Sequence, residues 1–397
     1  MTDVAPPQLP FPRKNILEMA PMYRSLRDTA PVAPVRTPTG DIAWLVTGHA
    51  EAKELFADRR LGRSHPAPER AARISDSAVL GGPMGEAGTE AETHEQARRL
   101  LAPAFSARRM RALQERVAEF TGDLLDRLAE QERPADLHEA LSFPLPVLVI
   151  CELLGVPYAD REEFGLWSRQ ASNLHDREAS TAALQRLNAY MRELVAEKRV
   201  TPGQDVISDL VAAQAQGGYD DHHIAGLAAL LLFAGHETTV ARIDVGTLLL
   251  LTNPEQCAAI RRDPALVDGA VEEILRMAVP SSNAGLPRYA HADIEVAGVH
   301  IRTGDAVVLS PGAANRDPEV FDDPDAFDIR RVTNPHLAFG YGAHYCLAAS
   351  LARVELRTVF TELPRRFPAL ALAVPVQELP SRADLLVGGL TMLPVTW

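Results

Sequence analysis

Hydrophobic positions recur at helical spacing along most of the chain, and strand-like alternation is limited to a few short stretches. Helical pattern dominates from Glu92 to Val200, and a long apolar stretch then runs from about Asp220 to Thr252. A helix of that length spans roughly 50 Å at ~1.5 Å per residue, enough to cross the molecule. Asp220 or Asp221 can cap its start, and Asn253-Pro254 stops it. The pattern predicts a mainly α-helical protein built around one central helix.

The strand signals fall into three parts of the chain, near residues 30–48, 285–310 and 384–397. The first predicts a β-hairpin, the second a small sheet and the third a terminal hairpin over Leu385 to Leu393 whose turn could reach a substrate pocket. Residues 61–92, rich in Gly, Pro, Ser and Ala, predict an irregular loop, either a mobile lid or an ordinary surface loop. The strand stretches are Val32 to Arg36, Ala43 to Val46, Ile294 to Val296, Val299 to Ile301 and Val307 to Leu309.

The central helix contains a cluster, AGHETT, that is unfavourable in a helix interior. Gly235 costs a helix about 1 kcal/mol relative to alanine, and the hydroxyls of Thr238 and Thr239 can bond back to carbonyls one turn earlier. A flat ligand approaching the backbone at Ala234 and Gly235, beside a small polar pocket, would explain the cluster. A capping or polar core role is the alternative.

A second unusual stretch, FGYGAHYCLAASLAR, runs from Phe339 to Arg353. Gly340 and Gly342 permit a tight loop, and Cys346 then stands at the entrance to a helix. The partial positive charge of a helix N-terminus favours a thiolate. One cysteine is too few for a zinc or iron–sulfur site. What remains is a single axial bond to an iron held by a porphyrin, or a buried free cysteine beside a glycine turn.

This stretch resembles the cysteine-loop signature of the cytochrome P-450 haem-thiolate monooxygenases, and the whole chain is similar to the soluble bacterial, actinomycete-like type. The match is carried by Phe339, Gly340, Gly342, His344, Cys346, Leu347 and Ala348. Ala348 departs from the more usual glycine and is expected to tighten the helix slightly against the haem. The resemblance implies one domain over residues 1–397. It also implies the P-450 fold, mainly α with a smaller β-rich part, in which the central helix crosses over the haem and the helix after the cysteine loop lies beneath it.

The resemblance also assigns roles to individual residues. It makes Cys346 the metal ligand, and Glu237 with Thr238 the acid–alcohol pair that delivers protons to bound dioxygen. It makes Glu273 and Arg276 a buried structural pair, which Arg331 or its neighbour Arg330 completes; Glu272 also has the spacing to pair with Arg276. The residues expected to contact haem, some through its propionates, are His94, Arg98, Ala234, Gly235, Arg288, Phe339, Gly340, His344, Cys346 and Ala348.

Composition and net charge limit the classes of partner and the compartment that are expected for this chain. The chain has 397 residues, a net charge of −13 and three cysteines, which argues against nucleic acid and against a disulfide framework and fits a cytoplasmic monomer. The N-terminus lacks a signal-peptide pattern, and no segment offers the roughly 18 uncharged apolar residues of a membrane span. The sequence shows no flavin or nicotinamide fingerprint, so the resemblance implies that a ferredoxin and its NAD(P)H-dependent reductase supply electrons.

The resemblance therefore implies a monooxygenase with one haem b per chain and O2 as co-substrate. It would hydroxylate or epoxidise an apolar small molecule, such as a polyketide or macrolide natural product. A peroxygenase or oxidative coupling catalyst is one alternative, and a non-catalytic haem binder is another. A basic docking face for an acidic ferredoxin is expected among Arg98, Arg99, Arg108, Arg109, Arg111, Arg353 and Arg357.

Overall fold

The computed structural model describes residues 5–214, 219–278 and 285–397, and within them the chain is mainly helical with a smaller β part, as predicted. In chain order the helices are α1 (Pro21–Thr29), α2 (His49–Ala57), α3 (Glu90–Leu101), α4 (Ala107–Ala129), α5 (Pro144–Leu154), α6 (Arg161–Ala171), α7 (Arg177–Val200), α8 (Val206–Gln214), α9 (Asp221–Thr252), α10 (Pro254–Arg262), α11 (Val267–Met277), α12 (Pro311–Ala314) and α13 (Ala349–Arg366).

The central helix is α9, and its bounds confirm the prediction. The Asp220 carboxylate caps it by accepting a hydrogen bond of 2.9 Å from the His223 N–H, and Asn253-Pro254 follows its last turn. Within the described residues it is the one helix long and apolar enough to span a membrane, yet 61% of its most apolar window is buried. It packs against α5, α7, α11 and α13. It is therefore the core helix around which the other helices assemble.

Most of the β structure lies in a five-stranded sheet whose spatial order is β1, β2, β8, β5, β3. The first two strands form the predicted hairpin, with Val32 opposite Val46, and β8 joins β2 in parallel register. The strands are β1 (Val32–Arg36), β2 (Ile42–Val46), β3 (Leu61–Gly62), β4 (Ala135–Asp136), β5 (Leu286–Ala290), β6 (Ile294–Val296), β7 (Val299–Ile301), β8 (Ala306–Leu309), β9 (Ala371–Leu372) and β10 (Pro394–Thr396).

Two of the strand predictions were wrong. The small sheet predicted between residues 294 and 309 does not form as one unit, because β6 pairs only with β7 while β8 joins the large sheet. The terminal stretch Leu385 to Leu393 is not a regular hairpin either. It contributes isolated bridges, and β10 pairs instead with β4 and β9. In both places one of the partners is a strand distant in sequence, β2 for β8 and β4 for β10, which local alternation cannot reveal.

The loop between β9 and β10 nevertheless reaches the central helix. Gly388 and Gly389 turn it with φ angles of 69° and 102°, values that favour glycine. A methyl group on Gly389 would lie only 3.3 Å from the Ala241 side chain of α9. The C-terminal loop therefore lies directly against α9 beside the AGHETT cluster.

The predicted irregular segment is confirmed for residues 63–89 apart from a short 3₁₀ turn, since α3 begins at Glu90. It is anchored rather than free. The Asp76 N–H donates to the Leu174 carbonyl at 3.0 Å, and the Ser77 hydroxyl donates to the Ala171 carbonyl at 3.1 Å. The segment thus closes the fold over the connection between α6 and α7.

Candidate active site

The cysteine loop lies between the 3₁₀ turn Gly342–His344 and the start of α13. The Cys346 N–H donates to the Phe339 carbonyl at 2.9 Å, which closes the loop into a ring. Gly340 and Gly342 have φ angles of 70° and 71°, as their placement in a tight loop requires. Gly342 also sits against the backbone of α2, because a Cβ there would lie 2.9 Å from the Phe56 carbonyl. Only glycine fits this position without strain.

The environment of the Cys346 sulfur differs from the prediction. Burial raises the pKa of the thiol, while the Ala348 N–H and the charges of Arg98 and Arg353 act in the opposite direction. The helix N-terminus therefore contributes as expected, but burial outweighs it. Burial raises the pKa of Cys151 to about 12, and this residue lies in the core as a small apolar side chain. Burial also raises the pKa of Cys257, although the Arg261 guanidinium on α10 donates to its sulfur and acts in the opposite direction.

One stripe of α9 remains accessible although most of the helix is buried. Leu230 is 51% exposed, and Ala234 and Thr238, at successive intervals of four, are exposed as well. Residues four apart lie on one face, so this stripe borders an open space inside the fold. Arg242 continues the stripe by one more turn. Its Nε has no hydrogen-bond partner within the described residues, and burial lowers its pKa to about 10.

The hydroxyls of the AGHETT cluster bond back along the helix, as predicted. The Thr238 Oγ1 donates to the Ala234 carbonyl at 2.9 Å, and the Thr239 Oγ1 donates to the Gly235 carbonyl at 3.2 Å. The close approach expected at Gly235 has a different cause. A Cβ at this position would lie 2.8 Å from the Ile150 Cδ1. Gly235 is therefore needed for packing against α5, and Ala234 and Thr238 form the open face.

Glu237 lies behind that face, buried between α9, α6 and the C-terminal loop. Its Oε1 is 3.4 Å from the His236 Nε2, and its Oε2 is 3.6 Å from the Arg382 Nη1. Burial alone would favour the neutral acid. The interaction with the adjacent His236 imidazole, together with the charges of Arg382 and Arg169, outweighs burial and lowers the pKa of Glu237 to about 2.

A cluster of basic side chains lies beside the cysteine loop. The rings of His94 from α3 and His344 have centroids 4.0 Å apart, and the Arg98 Nη1 donates to the Tyr345 carbonyl at 2.7 Å. Arg288, from β5, is buried, and among the described residues its side chain donates to the neighbouring Pro287 carbonyl alone. The structure thus brings together four of the residues that the sequence analysis expected to contact haem, namely His94, Arg98, Arg288 and His344.

Within the part of the chain that the structure describes, none of these four bases forms an ion pair with an acidic side chain. Burial, with nearby cations, lowers the pKa of Arg288 to about 10 and that of His344 to about 4. Glu90 is the nearest acid, but it already accepts hydrogen bonds from the Arg63 and Ser64 N–H groups, at 2.6 and 2.9 Å. A buried cation without a counter-charge is costly, so the cluster suits a ligand that carries carboxylates.

The predicted structural pair is also brought together. Arg276 donates to both Glu273 oxygens at 2.7 and 2.8 Å, and both side chains are fully buried. The Arg331 Nε lies 3.3 Å from each of these oxygens, whereas Arg330 is exposed. Glu272 pairs instead with Arg353, at 2.6 and 2.8 Å. Arg331 is therefore the arginine that contacts this pair.

Four residues of this region were missed by the sequence analysis: Arg63, Arg242, Glu355 and Arg382. Arg242 and Glu355 carried a signal, because each continues an i, i+4 row of a buried or cavity-facing helix face. Arg382 carried none, since its contact with Glu237 depends on the path of the C-terminal loop. Arg63 carried no sequence signal either, because only the folding of the chain brings it close to the basic cluster.

Comparisons with known proteins agree on one family. A model of the cytochrome P-450 family matches residues 167–384. The chain is 48% identical to pentalenolactone synthase of Streptomyces exfoliatus over 398 residues, covering 98% of this chain and 99% of that protein. It is 38% identical to mycinamicin IV hydroxylase/epoxidase of Micromonospora griseorubida, covering 100% of both. The solved structure of substrate-free PimD, a pimaricin epoxidase, matches with a TM-score of 0.88 at 40% identity over 100% of both chains.

Proposed function

Because the chain belongs to the cytochrome P-450 family, we propose that the cysteine loop, the basic cluster and the open face of α9 together form its haem site. The protein is a cytochrome P-450 monooxygenase that uses haem b and takes O2 as co-substrate. Its role is the oxidation of a small natural product in secondary metabolism.

The residues present fit haem. Cys346 supplies a sulfur ligand in a loop closed by Phe339 and Gly340, and Ala348 begins the turn into α13. The two propionates would be held by the basic cluster of His94, Arg98, Arg288 and His344. Their carboxylates would supply the negative charge that these bases lack. Ala234 and Thr238 would cover the opposite face, with Gly235 allowing α5 to pack close behind. The observation that carries the proposal is this unpaired basic cluster beside a single loop cysteine.

Bound haem supplies the activation of O2, so that one oxygen atom enters a C–H or C=C bond and the other leaves as water. The chain's own part is to place protons at the open face of α9. The Thr238 hydroxyl donates its hydrogen to the Ala234 carbonyl, so its oxygen can accept a hydrogen bond at the open face. Glu237 lies next to it in the helix as the carboxylate that passes protons on. A peroxide-driven or non-catalytic haem protein would not need this acid–alcohol pair.

Electrons come from redox partners, which under this proposal are a ferredoxin and its NAD(P)H-dependent reductase. A shallow depression of about 480 Å³ opens beside Cys346 on the surface. Basic side chains dominate its rim, which suits an acidic electron carrier. Its lining residues include Arg98, Tyr345, Leu347, Ser350, Arg353 and Arg357.

The substrate under this proposal is apolar and of macrolide or polyketide type, in line with the relatives named for mycinamicin IV and pimaricin. We also propose that residues 1–397 belong to a single domain, which is supported by the pairing of β2 and β8 from distant parts of the chain in one sheet. Under this proposal the protein works as a soluble cytoplasmic monomer in which the long apolar helix α9 serves as the core.

The test is the carbon monoxide spectrum of the reduced protein. The thiolate band characteristic of this family is expected in the wild type and in Cys257→Ser, whose partly buried thiol lies next to Arg261 on α10. Cys346→Ser should lose the band. Absence of the band from the wild type, or its survival in Cys346→Ser, would overturn the haem site as proposed.

A further inference from the structure

His236 and Glu237 share a contact whose hydrogen positions can be worked out from the geometry. The imidazole is completely buried, and its Nδ1 lies 2.8 Å from the Leu232 carbonyl oxygen. A carbonyl oxygen only accepts hydrogen bonds, so Nδ1 must carry the hydrogen. The other nitrogen, Nε2, therefore presents a lone pair whenever the ring is neutral.

That lone pair faces a second acceptor. The Nε2 lies 3.4 Å from the Glu237 Oε1, and neither atom has a hydrogen-bond partner within the described residues. Two buried acceptors repel each other unless a hydrogen lies between them. We propose that His236 and Glu237 hold one shared proton between Nε2 and Oε1, and that His236 is the residue from which Glu237 draws the proton it delivers. This inference rests on the proposed function, because it deepens the role of Glu237.

The charges around the pair allow the proton to leave. Arg382 lies 3.6 Å from the other carboxylate oxygen with a side chain only 9% exposed, and Arg169 of α6 also acts on Glu237. The nearest further acid on α9, Asp244, is already bound to His138 at 2.8 Å. Glu237 thus keeps a counter-charge even after the shared proton has gone.

The step itself moves one proton and no electrons. The Nε2–H bond breaks as an Oε1–H bond forms, and the ring becomes neutral while Nδ1–H stays bound to the Leu232 carbonyl. Glu237 then releases the proton toward the open face at Thr238. Because the ring is completely buried and its Nε2 faces Glu237, it regains a proton through the same carboxylate, which takes one from water at the open face. His236 acts through Glu237 and is thus a positioning residue that stores a proton.

The direct test is side-chain nitrogen NMR of the full-length, histidine-labelled protein in its reduced, carbon monoxide-bound form. His236→Gln identifies the signal by its loss. At pH 6 the wild type should show hydrogen on both ring nitrogens, and Glu237→Gln should show it on Nδ1 alone. A ring with a bare Nε2 in the wild type, or one unchanged by Glu237→Gln, would overturn the inference without involving turnover.

Turnover gives a second measurement. A glutamine at position 236 can donate a hydrogen bond but cannot release a proton. We expect His236→Gln to slow product formation roughly 10-fold, less than the 10²–10⁴ typical of a directly acting acid, since water can still reach Glu237 slowly. His223→Gln, exposed at the start of the same helix, should behave as wild type.

An error in the haem site and an error in the proton store at His236 would give different experimental results. If the wild type lacks the thiolate band, the haem site is wrong, whereas the NMR result still decides whether the proton is shared. If His236→Gln keeps the band together with wild-type turnover and solvent isotope effect, the haem site stands and the proton store is wrong.

Discussion

Glu273 and Arg276 form a bidentate ion pair with N–O distances of 2.7 and 2.8 Å, and neither side chain has any exposed surface. The remaining donors of Arg276 go to backbone carbonyls, among them Asn315 at 2.9 Å and Ala326 at 2.9 Å. Glu273 in turn accepts from the Asp328 N–H at 3.0 Å. The pair therefore fixes α11 to the irregular segment that leads into the cysteine loop.

Breaking this pair should destabilise the fold strongly. Glu273→Gln leaves the Arg276 guanidinium buried without a counter-charge, which typically costs about 3–5 kcal/mol. Arg276→Lys should be nearly as harmful, because an ammonium cannot supply the two parallel donors. Urea unfolding followed by circular dichroism measures the change in the free energy of unfolding.

The matched control for that experiment is Glu95→Gln, which breaks an exposed ion pair with Arg99 on α3. Surface pairs of this kind contribute only about 0–1 kcal/mol. If Glu273→Gln were no more destabilising than Glu95→Gln, the buried pair would not hold the cysteine-loop region in place.

The basic cluster predicts how tightly haem is held. Arg288→Met removes a buried cation that, under the proposal, binds a propionate, and hydrogen bonds to charged groups contribute about 1.5–3 kcal/mol. We therefore expect haem to transfer to an excess of haem-free acceptor protein about 10-fold to 100-fold faster than from the wild type. Arg330→Met, at an exposed position, is the control. Equal transfer rates for both variants would remove Arg288 from the haem site.

Much of this arrangement could be predicted from sequence because it is local. The bounds of α9 follow from its apolar spacing and its capping residue, and the cysteine loop follows from its glycines. The sheet could not be completed in this way, because β8 pairs with the distant strand β2 as well as with β5. Local alternation defines a strand, but its partner depends on the global fold.

The environments of the charged residues of α13 could not be predicted from the sequence either. Arg353, Glu355 and Arg357 look alike in sequence, yet Arg353 binds Glu272, Arg357 binds Asp268 at 2.6 Å, and Glu355 is buried with an unpartnered Oε2. Leu351, Glu355 and Val359 stand four apart on one buried face, so helical spacing held the signal. Because glutamate side chains are usually exposed, this spacing was not taken as a sign that Glu355 is buried.

Glu355 makes the stability of the protein depend on pH in a specific direction. Burial raises its pKa well above the ordinary 4.5. Below pH 4.5 the side chain is protonated in both folded and unfolded chains, so its ionisation does not affect the free energy of unfolding. Above it the unfolded chain ionises while the folded chain keeps its proton, so stability falls with rising pH until the folded pKa is reached.

Glu355→Gln removes this dependence because glutamine is neutral in both states. Relative to the wild type, the free energy of unfolding of the variant should therefore be higher at pH 8 than at pH 5, by up to ~1.4 kcal/mol for each pH unit between the unfolded and folded pKa values. Urea unfolding at the two pH values measures it. Glu130→Gln, on the exposed end of α4, should show no such difference. An equal effect of Glu355→Gln at both pH values would show that this carboxyl ionises normally.

The arginines of the proposed docking face for the electron donor differ in whether an acidic side chain already pairs with them. Most of the arginines assigned to it are already paired, such as Arg109 with Asp209 at 2.6 Å, whereas Arg108 and Arg111 are exposed and have no acidic partner within the described residues. Unpaired exposed cations attract an anionic partner most strongly, so these two should dominate its approach.

Reversing both charges, in Arg108→Glu with Arg111→Glu, should slow reduction by an acidic ferredoxin about 10-fold at low salt, because electrostatic steering raises association rates. The difference should shrink at high salt, where exposed charges are screened beyond ~3 Å at 1 M. Stopped-flow trapping of the reduced protein with carbon monoxide gives the rate, and substrate affinity should not change. Arg127→Glu with Arg262→Glu, two exposed arginines at the far end of the same helix and on α10, makes the same change in net charge and is the control. Equal slowing by this control pair would mean that overall charge, and not this face, governs the encounter.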